Sequence, residues 1–287
     1  MSQYDAMDAI VRDSAMNLSA TKKVEPIPIQ HVAFIPDGNT RWARARGLPS
    51  LDGYKAGIRV VEEMATYATE IGIKYLTFYL LSLENVRQRS GLWLDSFFAF
   101  ALAAIGNFSE RIKAHGCKIR IIGNTSYLPD ALQRALAQLV DETKDNPGIV
   151  LVFAVAYSGR DEILRATNTL FRKRVTELFC ASNSTQQITQ ATATTSQESF
   201  TERSNSEFQH ITLDEFHEHL DLNGIPAPDL LIRSANELRL SGFLLWHLDY
   251  TEFAFPSEFW PDFSVDSFVQ ILDDYRRRPR NFGKERA

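Results

Sequence analysis

Residues 74–81, Lys-Tyr-Leu-Thr-Phe-Tyr-Leu-Leu, form a nearly continuous apolar run with no polar–apolar alternation. A strand of this kind has no wet face, so it belongs inside a parallel sheet covered by helices on both sides. Three other runs share the pattern, at 31–35, 149–156 and 229–233, and a fifth strand spans 118–122 and ends in Gly123-Asn124. Helical spacing fills the intervals at 58–71, 92–114, 128–143, 161–179, 212–220 and 266–277. In the first of these, Val60, Val61, Met64, Tyr67, Ala68 and Ile71 share one face; the second carries Trp93, Phe97, Phe98, Phe100 and Phe108. Alternating strands and helices predict one α/β domain with a mainly parallel central sheet flanked by helices. Such sheets bind ligands beyond the carboxyl ends of their strands. The exits here are polar: Asp37-Gly38-Asn39, Ser82 to Asn85, Gly159-Arg160 and Arg233.

The first exit carries the most chemistry. Pro36 blocks further ladder pairing, and Gly38 and Asn39 tolerate left-handed backbone. A helix follows over Thr40–Arg46, with arginines at 41, 44 and 46. A strand that turns through a glycine into a helix points backbone N–H groups at one spot, which suits a phosphate, and the arginines add charge-assisted bonds. Asp37 cannot hold an anion directly; its natural role is a divalent cation that phosphate oxygens share. No GxxxxGK[ST] pattern is present, so a nucleoside triphosphate is not indicated. Taken alone, the same corner is equally a plain structural turn. Late in the chain, Arg233 and Arg239 with Ser241 have the makings of a compact anion clamp.

Composition narrows the partners. A formal net charge of −5 over 287 residues argues against nucleic acid. Cys117 and Cys180 have no metal-ligand spacing and no partner framework, as in a reducing, cytoplasmic setting. No apolar stretch approaches the roughly 20 residues of a spanning helix. Residues 1–30 read as an N-terminal extension whose Met7, Ile10, Val11 and Leu18 could form a short amphipathic helix ended by Pro26 and Pro28. Its polar face is not basic, so packing against protein is expected, with at most peripheral membrane contact. Residues 181–206 are rich in Ser, Thr, Gln and Asn and read as a disordered insertion within a domain running over 31–287.

The run HVAFIPDGNTRWA resembles the first signature of the cis-prenyltransferases, the undecaprenyl diphosphate synthase family, close to HVAxIMDGNGRWA. Residues 228–243, PDLLIRSANELRLSGF, resemble the second, near PDLxIRTxGExRxSNF; Phe259 to Phe263 and Asn281-Phe282-Gly283 match later blocks. The resemblance covers about residues 31–284 apart from the insertion. It implies an undecaprenyl diphosphate synthase-like fold. It also implies condensation of isopentenyl diphosphate with an allylic diphosphate, with Mg²⁺, release of pyrophosphate and a homodimer. By the same resemblance Asp37 and Glu252 are metal ligands, Glu252 acting across the dimer contact. Gly38, Asn39 and Arg41, beside Trp42, cradle the allylic diphosphate. Arg233, Arg239 and Ser241 clamp the isopentenyl diphosphate, and Ser82 and Asn85 lie near the condensing carbons.

The departures cluster on the allylic side. Thr40, Ser50 and Tyr54 stand where the family has glycine, arginine and histidine, and Gln88 stands where it has an arginine. Arg87 or Arg89 could replace that cation by a small shift, so both join Tyr54 as candidate substrate-binding residues. Leu80, where the family has a small residue, together with Phe97, Phe98 and Phe100, would narrow the tunnel for the growing tail; the same aromatics fit a general core equally well. The expectation is a short-chain or specialised product. The alternatives are irregular coupling of two five-carbon diphosphates and a non-catalytic partner subunit. Against the latter stands retention of Asp37, Asn39, Arg41, Arg233, Arg239, Ser241 and Glu252.

Overall fold

The computed structural model describes residues 29–189 and 210–279, apart from the side chains of 107–109, 111–114 and 178–189. Its six strands are β1 (His31–Ile35), β2 (Tyr75–Ser82), β3 (Lys118–Ile122), β4 (Val150–Tyr157), β5 (Leu230–Arg233) and β6 (Glu252–Ala254). They form one sheet in the order β3-β4-β2-β1-β5-β6, and every neighbouring pair is parallel. The helices are α1 (Asn39–Ala45), α2 (Ser50–Glu70), α3 (Leu83–Gln88), α4 (Gly91–Ala114), α5 (Asp130–Thr143), α6 (Gly159–Thr189), α7 (Leu213–His217) and α8 (Val265–Arg277).

Every residue of β1 and β5 is buried, as unbroken apolar runs require when helices cover both faces. Successive side chains then feed two cores. On one face Phe34 stacks on its register partner Phe78, with ring centroids 5.1 Å apart, and Trp260 and Phe268 close around them. On the other lie Ala33, Tyr79, Tyr157 and Phe243. His31 is buried in the sheet: Nδ1 donates to the Pro226 carbonyl at 2.7 Å and Nε2 accepts from the Thr77 hydroxyl at 2.7 Å.

Two features of this order create a site. β1 has β2 on one side and β5 on the other, so the chain leaves β1 in opposite directions and opens a crevice beyond its carboxyl end. β2 also carries a bulge. Tyr79 faces Ala154 and Leu81 faces Val155, which leaves Leu80 as the extra residue, turned outward and 38% exposed.

Some boundaries differ from expectation. α2 begins at Ser50, eight residues before 58, because Gly53 and Gly57 belong to its first turns and not to a loop. A Cβ on Gly53 would stand 2.0 Å from the Asn39 carbonyl oxygen, and one on Gly57 2.7 Å from Asn39 Oδ1. These glycines let α1 and α2 touch. α6 continues to Thr189, so residues 181–189, expected to be disordered, are helical. α7 stops at His217, although Thr212 caps it as its sequence suggests, accepting from the Glu215 N–H at 3.2 Å. Ile29 is already in the core, so the N-terminal extension ends before it. The amphipathic helix expected near residues 7–18, the rest of the insertion and the 281–283 block lie outside the described residues.

Candidate active site

Strand exits converge on Asp37. Arg233, at the end of β5 and in register with Ile35, is 4% exposed at its side chain and donates Nη2 to Asp37 Oδ2 at 2.7 Å. Its Nη1 donates to Ser241 Oγ at 2.9 Å and to the Arg239 carbonyl. Ser234 Oγ accepts from the Asp37 N–H at 2.8 Å and donates to the Asp37 carbonyl at 2.9 Å. The turn needs its glycine: Gly38 has φ 91°, and a Cβ there would meet the Phe259 ring at 2.5 Å.

The corner is less open to an anion than its sequence suggests. The Asp37 N–H is taken by Ser234, and the Gly38 N–H donates to Asp37 Oδ1 at 2.6 Å. Neither of these backbone donors is free for an anion. Burial opposes charge on Asp37, but the Arg233 hydrogen bond and charge, the Gly38 N–H and Arg41 outweigh it and hold the carboxyl below its usual value. Arg41 reaches Asp37 Oδ1 at 3.3 Å and Glu237 Oε1 at 2.9 Å, and Arg239 also donates to Glu237. Glu237 thus gathers cations from both expected pockets. Sequence reasoning gave it no role; its position between Arg233 and Arg239 was the available signal.

An apolar cavity of about 170 Å³ opens at Pro36 and Asn39 and runs among α2, α4 and α5. Tyr54, Leu80, Phe97, Phe100 and Leu136 line it, whereas Phe98 packs against the core without reaching it. Tyr54 meets Phe97 edge-on at 5.4 Å, Phe97 stacks on Trp93 at 5.0 Å, and the Arg89 guanidinium lies 3.9 Å over the Trp93 ring. Arg89 therefore caps an aromatic row leading to the cavity. Arg87 is turned elsewhere, donating to the Tyr127 hydroxyl at 2.8 Å. Asn39 Nδ2 donates to the Pro36 carbonyl at 3.1 Å, while its Oδ1 is buried without a hydrogen-bond partner on the side facing Gly57.

Several expected site residues are placed differently. Trp42 donates its indole N–H to Asp262 Oδ1 at 2.6 Å, with Arg46 over its ring at 4.3 Å, so its polar atom is committed to the fold. Ser82 Oγ accepts the Asn85 N–H at 3.0 Å and caps α3. Glu252 is level with Leu230, three residues back along the neighbouring strand from Arg233, and pairs with Arg278 at 2.9 Å. At about 3.3 Å per residue, that sets it roughly 10 Å below the Asp37 corner within one chain.

Among the described residues no cluster of three His, Cys, Asp or Glu side chains could cage a metal ion. Mg²⁺ does not need such a cage, because it keeps several waters and takes one or two carboxylates plus substrate phosphates. Asp37, ionised and 27% exposed at its side chain, fits that donor set. The described residues also include no helix long and apolar enough to cross a membrane. Cys117 is a buried free thiol, pushed up by burial.

Comparison with known proteins agrees with this geometry. The family profile described as "Putative undecaprenyl diphosphate synthase" matches residues 35–283. An isoprenyl transferase of Aquifex aeolicus is 37% identical over 257 residues, covering 89% of this chain and 96% of that protein. One from Listeria innocua is 34% identical over 268 residues, covering 93% and 95%. Among solved structures, lavandulyl diphosphate synthase from Lavandula x intermedia, in complex with dimethylallyl diphosphate, superimposes with a TM-score of 0.75 at 30% identity, covering 91% of this chain and 100% of that one. A structure from Campylobacter jejuni, at 23% identity and a TM-score of 0.67 over 89% and 99% of the chains, shares the fold.

Proposed function

Because the chain belongs to the undecaprenyl diphosphate synthase family of isoprenyl transferases, we propose that it condenses isopentenyl diphosphate with an allylic diphosphate, releasing pyrophosphate, with Mg²⁺ as cofactor. The observation that carries this reading is the 2.7 Å contact between Arg233 and Asp37, which gathers Arg41, Arg233 and Arg239 at one corner beside an apolar cavity that reaches Pro36 and Asn39.

Each group has work suited to its surroundings. The allylic tail takes the cavity, whose lining is mostly apolar. Arg41, with Arg89 at the end of its aromatic row, holds the allylic diphosphate. Arg233, Arg239 and Ser241 hold the isopentenyl diphosphate. Exchange of Glu237 for diphosphate oxygens frees Arg41 and Arg239, both half-exposed, for substrate. Mg²⁺ held by Asp37 would neutralise charge on the departing diphosphate as the allylic C–O bond breaks. Asn39 lines the cavity and braces the Asp37 turn through the Pro36 carbonyl, which fixes the end of the cavity nearest the diphosphate. Ser82 and Asn85, at the β2 exit, stand on the side where the new bond forms and a proton leaves.

Leu80 on its bulge, with Phe97 and Phe100, shortens the cavity, which favours a short product over a long polyprenol. A second reading, irregular coupling of two five-carbon diphosphates, draws on the likeness to the lavandulyl enzyme and on Tyr54 as an aromatic wall beside the reacting end. The proposal includes a homodimer acting in the cytoplasm. Its ground is Glu252, which within its own chain lies away from Asp37 and would serve the metal of a second copy. The test is incubation with labelled isopentenyl diphosphate and a panel of allylic diphosphates, with Mg²⁺ or with chelator. Labelled prenyl diphosphate formed only with Mg²⁺ supports the reading; no product from any allylic partner removes it.

A further inference from the structure

Tyr79 and Leu80 are neighbours on the β2 bulge, and they serve opposite faces of the sheet. Leu80 lines the cavity, and Tyr79 touches it only in part, because its ring packs into the other core. There it stacks on Phe243 with centroids 4.6 Å apart and rings 9° from parallel, and it meets Tyr157 edge-on at 6.0 Å. Its hydroxyl lies 3.0 Å from the Tyr157 carbonyl and 3.3 Å from the Ser241 carbonyl, one proton shared between two acceptors. Burial pushes the phenol well above its usual value, so it stays a donor.

The segment it holds has an unfavourable backbone. Ser241 and Leu244 have φ of 50° and 45°, a region that side chains with a Cβ rarely adopt, and Gly242 between them has φ 78°. Three contacts impose this shape: Phe243, fully buried, is wedged against Tyr79; the Gly159 N–H donates to the Gly242 carbonyl at 2.7 Å; and the Tyr79 hydroxyl reaches Ser241. The result is a Ser241 Oγ that meets Arg233 Nη1 at 2.9 Å while Nη2 reaches Asp37.

We infer that Tyr79 is a positioning residue for the isopentenyl-side clamp: its ring and hydroxyl hold Ser241, and through it Arg233, in register with Asp37. The inference deepens the proposed function and rests on its assignment of Arg233, Arg239 and Ser241 to isopentenyl diphosphate. Tyr79 acts through the loop and touches neither reacting carbon.

Tyr79→Phe deletes the hydroxyl and keeps the ring stack. The measurements are the Kd for isopentenyl diphosphate by calorimetry and the KM for each substrate, with Mg²⁺, alongside a thermal melt. The expected result is a Kd for isopentenyl diphosphate weakened about fivefold, the scale of one net hydrogen bond, with the allylic KM and kcat within about twofold of wild type. An unchanged Kd, or equal rises in both KM values, overturns the inference, since a merely structural role would not single out one substrate. Should Tyr79→Phe fail to fold, Phe243→Leu, which keeps the hydroxyl and removes the stack, must show the same selective weakening, and normal binding there overturns the inference. Wild-type protein that binds isopentenyl diphosphate but transfers it to no allylic partner removes the proposed function, while the comparison of Kd values still decides the role of Tyr79.

Discussion

Arg233 and Asp37 are 196 residues apart in the chain and 2.7 Å apart in the fold, the arginine almost wholly buried and the carboxylate reaching solvent. The pair stitches the end of β5 to the end of β1. It sets the distance between the two proposed diphosphate sites, and it keeps Asp37 ionised against the cost of its burial.

Breaking that pair should stop transfer. Asp37→Asn keeps the shape and removes the charge, and Arg233→Lys keeps a charge and loses the two-pronged geometry. Each should lower kcat/KM by about 100-fold or more, which corresponds to about 2.7 kcal/mol of transition-state stabilisation. Pyrophosphate release measures it directly.

The cavity should set product length. Leu80→Ala removes the bulged side chain from the cavity wall, so the product should gain one or more isoprene units. Mass analysis of extracted products reads the change, and unchanged length would show that the wall lies elsewhere.

Two neighbouring arginines should behave differently. Arg89→Ala should raise the allylic KM about tenfold, the scale of one charge-assisted hydrogen bond. Arg87→Ala, which loses only its contact with Tyr127, should change it less than about twofold. Steady-state kinetics with the allylic substrate varied separates them.

His31 should make stability depend on pH. Burial, partly offset by the Pro226 hydrogen bond, lowers its value from 6.5 to about 4, so the folded protein holds it neutral. Between those values the unfolded chain binds more protons, so this contribution is complete above pH 6.5 and is lost as pH falls towards 4. It amounts to about 3 kcal/mol if fully realised. Denaturant melts across pH 4–8 should show the slope, and His31→Asn should flatten it.

Gly57→Ala should destabilise the protein by about 1–3 kcal/mol, the cost of overpacking. The added methyl would stand 2.7 Å from Asn39 Oδ1 and 2.8 Å from the Trp260 ring, neither of which has room to move. Thermal melts check it, with Gly106→Ala as a comparison at an exposed helical site where a Cβ meets nothing within 4 Å.

The parallel sheet was legible because runs such as 31–35 and 229–233 have no polar face to expose. The meeting of Asp37 and Arg233 was legible because both directly follow apolar strands that a parallel sheet brings to one edge, whereas the roles expected of Arg239 and Ser241 came from the resemblance. Distances across the chain were not. Nothing local reveals that Ser234 occupies the Asp37 N–H, that Glu237 bridges Arg41 and Arg239, or that the Trp42 indole is held by Asp262. The start of α2 was missed because Gly53 and Gly57 look like loop residues until α1 packs on them. Leu80 was singled out because the family it resembles has a small residue there; the bulge that aims it into the cavity depends on register with β4.

Pyrophosphate release with each substrate alone and with both together tests the central claim most directly. Two distinct pockets meeting at Asp37 and Arg233 predict Mg²⁺-dependent release only when isopentenyl and allylic diphosphates are both present. Equal release from dimethylallyl diphosphate alone would contradict regular condensation and favour coupling of two allylic units; no release under any condition would contradict prenyl transfer altogether.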